Sequence, residues 1–328
     1  NGLVTSGFQD GFNAVIRNDS TEQKAELTAF GLNLDYEIND DWSVTLDLSS
    51  SSVEKDIIGM EAYAGTGRAG SGAASARSFE MTSTGAIFSD HPSIAPVDLT
   101  DPNLLTLAGP QSWGGGFNAL ADLPQFSGGS PGDAQDGFIN RPVIEEDLDS
   151  LRLQASGVVD YSIIAGVEFG VMYSDRTKDR INEGDYLTAP TYPGDGSIPD
   201  VLGIADLGFL GINGVLAYDS IALYKDGYYT ATPASLVQTD RLGDTYTIDE
   251  KISTLYVKLD LEAEFGDVIM SGNFGLQYVD VDQKASGFLV VENAQGYVDA
   301  AAVTEGVSYS DILPTLNLSF EIAENQYI

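Results

Sequence analysis

The chain of 328 residues has no cysteine, a single histidine and only 15 basic residues against 50 acidic ones. Without cysteine there is no disulfide scaffold, no thiolate metal site and no cysteine nucleophile. A net charge of −35 excludes nucleic acid as a partner, because phosphate binding needs Lys and Arg to displace counterions. No apolar run reaches the 18 residues of a transmembrane helix. Nucleophile elbows, phosphate loops and zinc-ligand spacings are missing as well. His91 stands alone in the 89–92 segment SDHP, a solvated loop position, so no general base is expected there. No enzyme activity, catalytic residue, metal or cofactor is expected.

What the chain does contain is hydrophobic residues in 43% of positions, aromatics in 10%, and long runs of period two. That layout argues against disorder despite the charge. In the run 253–281, Leu255, Val257, Leu259, Leu261, Ala263 and Phe265 alternate with Tyr256, Lys258, Asp260, Glu262 and Glu264. Side chains alternate across a strand, so this is one apolar face and one ionised face. Gly266-Asp267 turns the chain, and Met270, Gly272, Phe274, Leu276 and Tyr278 resume the pattern. The same unit recurs, predicting strands over about 22–38, 42–54, 148–161, 163–176, 248–265, 268–284 and 309–322.

Tight turns are expected near 39–41, 161–163, 266–267 and 323–325, and long loops over about 55–146, 177–247 and 285–308. Short and long connections alternate, so the turns gather at one end and the loops at the other. The expected fold is therefore all-β: an antiparallel up-and-down transmembrane β-barrel. A strand tilted by about 45° crosses a bilayer in about 9–11 residues, and these are longer. Tyr36, Trp42, Tyr161 and Phe265 lie beside the short turns on the apolar face, where an aromatic girdle belongs. A soluble sandwich competes less well, since its strands average about 5–6 residues. Seven strands cannot close a membrane barrel, and an open edge in lipid costs several kcal/mol per unpaired group. The expectation is an incomplete arc of about 7–8 strands. A start on Asn1 and a stop inside a new strand at 325–328 suit a piece of a longer polypeptide.

The run EKISTLYVKLDLEAEF (250–265), then GNFGLQYVDVDQKASGF and YSDILPTLNLSFEIAENQYI, resembles the barrel of a TonB-dependent outer-membrane receptor. It is most similar to the large-loop subfamily of aquatic and soil proteobacteria. GVEFGVMYSDRTKDR (166–180) and FGLNLDYEINDDWSVTLDLSSSSVEKD (30–56) fit the same family's strand-and-turn phrases. The resemblance covers nearly the whole chain outside the long loops. It implies a 22-stranded kind of barrel with a plugged lumen, in the outer membrane of a Gram-negative bacterium. Implied partners are membrane lipid and lipopolysaccharide, the receptor's own plug domain and, through it, the inner-membrane TonB energy-coupling complex. A scarce nutrient would be the ligand. The chain departs from the family pattern in showing no plug, no energy-coupling box and no final strand ending in an aromatic.

Candidate ligand-binding residues are aromatics in the expected loops: Trp113 and Phe117 in a glycine-rich stretch, then Tyr186, Tyr192, Tyr218, Tyr224, Tyr228 and Tyr229. Such rings can stack on sugar faces; the competing role is to pack the loops against each other. Acidic residues crowd at 145–149, and Asp280 and Asp282 share a strand face. Without the EF-hand spacing these read as a hydrated rim. Basic loop residues that could grip an anionic chelate are few: Arg68, Arg77, Arg141, Lys225 and Arg241. The charge balance favours a neutral oligosaccharide or a cation-bearing nutrient. A ferric-siderophore receptor and a passive porin-type channel stay open as alternatives.

Overall fold

A computed structural model gives the fold, and it describes residues 2–109, 120–127, 129, 131–323 and 326–328. The protein is all-β with antiparallel sheets. Seven long strands form a meander: β3 (Ser20–Glu37), β4 (Trp42–Gly65), β7 (Gly137–Tyr161), β8 (Ile164–Thr188), β12 (Tyr246–Phe265), β13 (Val268–Glu292) and β14 (Val298–Ala323). Each pairs with the next in that order. A two-residue strand β15 (Gln326–Tyr327) adds to β14, and β2 (Val15–Arg17) and β11 (Thr230–Pro233) add to the upper ends of β4 and β8. The remaining strands lie apart from this wall. β1 (Ser6–Phe12), β5 (Ser75–Thr82) and β6 (Gly85–Ser89) make a three-stranded sheet, and β9 (Val201–Leu207) and β10 (Ile212–Tyr218) make a hairpin.

The lower connections are tight for identifiable reasons. Asn39 turns β3 into β4 by accepting the Asp41 and Trp42 amides at 2.9 and 3.0 Å, the local side-chain-to-backbone turn that Asn favours. Ser162 at φ 59 joins β7 to β8, and Gly266 at φ 68 joins β12 to β13. Both sit in the left-handed region that short hairpin turns require.

The upper ends differ from the expected boundaries. β4 runs to Gly65 rather than 54, β7 begins at Gly137 rather than 148, and β8 reaches Thr188 rather than 176. The segment read as a loop over 285–308 is strand on both sides of a short turn at 293–297. There Asn293 Oδ1 accepts the Gln295 and Tyr297 amides, and Gly296 takes φ 83. The cause lies in the side chains. Above the apolar stretch the two faces lose their contrast, turning largely polar at 249–253 of β12 and carrying apolar side chains on both faces at 288–291 of β13, so the alternation stops although the backbone ladder continues. Residues 1–20, read as a connection, supply β1 and β2.

Two dry cores sit at the upper end, one on each face of the wall. Met60, Ala62, Ile139 and Leu187 share the parity of Val44, Ala155 and Phe169. They pack with Leu105, Leu107, Leu216 and Tyr218 in a buried cluster. Phe138 and Tyr186, of opposite parity, pack with Leu120, Phe126, Ala134 and Ala234. The helix α1 (Ser220–Lys225) belongs to the first cluster through Ile221 and Leu223. Asp219 caps it by accepting the Ala222 amide at 2.9 Å, an ordinary N-cap role for aspartate. The helix α2 (Thr239–Gly243) lies beside the second cluster, against β8 and β13.

Candidate functional site

The wall has two chemically distinct faces, and the register fixes which residues share each. One rung joins Tyr36, Val44, Ala155, Phe169, Val257, Leu276 and Pro314 across all seven long strands. Among the described residues most of this face is open, although Leu261 and Met270 on it are buried. Leu255 is 56% exposed, Phe274 37%, Leu316 61% and Leu318 41%, so these side chains do not converge on a shared core. On β12 the apolar stretch runs from Leu255 to Phe265, which at a tilt of about 45° spans roughly 25 Å. A contiguous exposed patch of this size marks an interaction surface. At its lower edge the Trp42 ring lies over Gly157, where an added Cβ would meet ring carbons at 2.5 Å. Trp42 also leans on Phe169, with ring centroids 6.4 Å apart.

Eight residues higher along β4, the same face reads Thr28, Ser52, Asp147, Thr177, Asp249, Lys284 and Gly306. No apolar side chain remains on that rung. Lys251 pairs with Asp175 at 3.5 Å one rung below. The crowded acids of 145–149 divide between the faces: Glu145, Asp147 and Asp149 stand on the apolar-band side, Glu146 on the other. Asp280 and Asp282 also stand above the band on that first side. Among the described residues, no three His, Asp or Glu side chains are placed to hold a metal ion.

The opposite face is polar at the height of the band. The Tyr256 hydroxyl lies 2.9 Å from Gln154 and 3.1 Å from Glu168, and Lys258 pairs with Glu168 at 3.3 Å and with Asp260 at 3.5 Å. Ser43 meets Ser156 at 3.0 Å, and Asn317 donates to Asn273 at 3.0 Å. Higher on this face β8 presents Arg176, Lys178 and Arg180 in succession. Glu146 accepts from Arg176 at 2.9 Å and lies 3.8 Å from Lys178.

The six described aromatic candidates fall into two groups. Tyr186 and Tyr192 belong to the cluster on the polar face. Tyr186 Oη accepts from Gln238 at 2.8 Å and its ring meets Phe138 edge-on at 5.2 Å. Tyr192 packs edge-on against Phe126, with Arg68 lying 5.1 Å above its ring. Tyr218, Tyr224, Tyr228 and Tyr229 belong to the cluster on the apolar-band side. The Tyr218 and Tyr229 rings are buried and Tyr228 meets Tyr229 edge-on at 5.4 Å. Burial pushes the phenols of Tyr218 and Tyr229 far above the ordinary tyrosine range, so they stay neutral. These four rings pack the loops; Tyr186 and Tyr192 alone are on the polar side. Trp113 and Phe117 lie outside the described residues.

The basic loop candidates are all engaged with carboxylates. Arg68 is the most deeply held: it forks onto Asp136 at 2.7 and 2.9 Å and donates to the Asp133 and Gly194 carbonyls. Asp136, fully buried, also accepts the Gly109 and Ala189 amides, both at 2.8 Å. This one ion pair ties four separate segments together, those around 68, 109, 133–136 and 189–194. Arg141 pairs with Asp185 at 2.8 Å, Lys225 with Glu22 at 2.5 Å, Arg77 with Asp90 at 3.1 Å and Arg241 with Asp240 at 3.1 Å. His91 Nδ1 accepts the Ser93 and Ile94 amides at 3.1 Å, a loop-shaping role. The strand cations Arg176, Lys178 and Arg180 were not among the candidates. Their sequence signal is the run DRTKDR at 175–180, which sorts bases to one face and acids or threonine to the other.

No family model matches the chain, and no curated protein is significantly similar to it in sequence.

Proposed function

We propose that this chain is part of the wall of an outer-membrane β-barrel, the barrel of a TonB-dependent, energy-coupled receptor that imports a scarce nutrient. The carrying observation is the uncovered apolar rung running unbroken through seven long strands, with a polar face behind it. In water that face is a liability; in a bilayer it is the contact surface that strands need. Its height of about 25 Å suits the hydrocarbon layer, and its replacement by Thr, Asp and Lys higher up suits the passage into headgroups and water. The tight turns then lie on the periplasmic side, and the loop layer with Tyr186 and Tyr192 is extracellular. Lipid and lipopolysaccharide cover the apolar face, and a plug domain and the TonB complex act from within. The ligand is a nutrient captured at the loop layer, an oligosaccharide being the class that aromatic and amide side chains suit.

A plugged receptor and an open porin differ in conductance. The full-length parent protein, recovered from outer membranes and placed in a planar bilayer, is expected to insert without opening a steady pore. A stable open conductance would replace the receptor with a passive channel. Recovery in the soluble fraction without detergent would remove the barrel altogether.

A further inference from the structure

Resting on the barrel reading, we propose that the inner face of the wall carries an anion seat built by Lys55 and Arg180. It would take a carboxylate or phosphate group on the ligand as it leaves the loop layer. The register places Lys55 opposite Ile144 and Ile144 opposite Arg180. The two cations thus flank one aliphatic side chain, about 10 Å apart at their Cα atoms, or two strand spacings. Side chains of this length reach a common point between them.

The charges around the seat favour an anion. On that rung the neighbours are Ala25, Ile144 and Tyr246, none of them acidic. The rung above carries Gln23, Ile57, Pro142 and Asn182, again without a carboxylate. On the rung below, Glu146 is already held by Arg176 and Lys178, and Glu305 stands four strands away from Glu146. Neither Lys55 nor Arg180 has an ion-pair partner among the described residues, and Arg180 Nε is buried with no acceptor. A buried guanidinium donor left unmade costs free energy, and an anionic oxygen supplies the missing acceptor.

Position along the path adds to this. Arg176, Lys178 and Arg180 follow one another at about 7 Å intervals on one strand face. Above them Arg241 donates to Asn140 at 2.8 Å and lies over the Phe138 ring at 5.2 Å, beside Tyr186. Cations and rings therefore share one face, the pairing that recognises a sugar acid or a phosphorylated sugar. The net charge of −35 opposes anions at long range, but beyond about 10 Å it is screened at ordinary ionic strength. At contact distance the local cations decide.

The test is isothermal titration of the full-length receptor in detergent with citrate and, separately, inorganic phosphate, at low ionic strength. Saturable binding is expected, and whichever anion binds more tightly names the group. Lys55→Gln combined with Arg180→Gln should weaken it by about tenfold or more, since two charge-assisted contacts are lost. Lys251→Gln with Lys284→Gln, on the outer face of the same wall, should leave it within about twofold. No saturable binding of either anion, or an equal loss from the outer pair, overturns the seat. The detergent requirement of the same sample is read first: a monomer soluble without detergent overturns the barrel reading itself, independently of the titration.

Discussion

The lower wall and the upper loop layer of this molecule solve the burial problem in opposite ways. Below the Ser50–Asp149–Asp175 rung, the wall holds its shape by ladder hydrogen bonds and leaves its apolar side chains in the open. Above it, the chain folds back on both faces and buries two sets of apolar side chains in dry clusters, with Arg68 and Asp136 sealed between the loops. The same 328 residues thus contain a region that looks unfinished in water and a region that looks like an ordinary soluble core. The contrast teaches that the exposed face is no failure of packing in a chain unable to pack. On the barrel function proposed above, it belongs to a region whose solvent is lipid.

A set of substitutions and one titration can break or sharpen that contrast. Asp136→Ala leaves a buried guanidinium unpaired and should cost the loop layer about 3–5 kcal/mol. Protease cleavage in the segments around Gly109 and Ala189 should then accelerate while the strand ladder survives. Replacing both partners, Arg68→Met with Asp136→Leu, should recover most of that loss, because the desolvated charges go together. A loss of the whole sheet would show that the two regions are not separable.

Next in size is a charge on the exposed rung. Leu276→Arg should cost about 2–4 kcal/mol of folding free energy in vesicles, whereas Gln277→Arg, one residue on and facing the other way, should cost little. Equal costs for the two would erase the distinction between faces. Gly157→Val forces the Trp42 ring off the strand, where a Cβ already meets it at 2.5 Å; about 1–3 kcal/mol is expected, read from urea-dependent Trp fluorescence. Asn39→Ala removes two turn bonds and should cost about 1 kcal/mol, visible as slower hairpin formation with the final fold unchanged.

The smallest effect is a pH dependence. A hydrogen bond from Arg176, with its charge and that of Lys178, holds the Glu146 carboxyl below the usual carboxylate range. A lowered folded pKa means that the stabilisation is present above the ordinary carboxylate pKa and fades as pH falls through the lowered value. Both partners are about one-third exposed, so solvent screens the pair and the change should be slight. Glu146→Gln, which mimics the protonated carboxyl, should lower the neutral plateau of a melting-temperature profile slightly and leave its acid end unchanged.

The wall was legible in the sequence wherever one face is greasy and the other polar. Residues 255–265 alternate Leu, Val and Phe with Tyr, Lys and Asp, and β12 follows that pattern to Phe265. Above Leu255 the first face continues as Ser253, Lys251 and Asp249, and a pattern defined by hydrophobic contrast falls silent although the strand goes on. Loss of contrast shortens the expected β7 and β8, and at the tops of β13 and β14, where Phe288 to Val291 put apolar side chains on both faces, it leaves an expected loop in place of strand. The candidate rings were visible as tyrosines between glycines, but their sorting was not. Whether Tyr218 or Tyr192 faces the wall's polar side depends on strand parity carried across pairings such as Gly137–Leu187, which no local stretch contains. Arg68 and Asp136 likewise meet across 68 positions. The basic column on β8 was readable in DRTKDR once that segment is taken as strand.

A membrane wall requires lipid to meet the apolar rung, and the absence of native cysteine makes that directly measurable. Single nitroxide labels at Leu255→Cys, Phe274→Cys, Leu276→Cys and Leu316→Cys, and at Asn273→Cys, Gly275→Cys and Gln277→Cys, are read in vesicles for collision with oxygen and with a water-soluble nickel chelate. The predicted result is a period of two: Leu255, Phe274, Leu276 and Leu316 relax with oxygen and are shielded from nickel, and Asn273, Gly275 and Gln277 do the reverse. Nickel access at both sets, with no alternation, would contradict it.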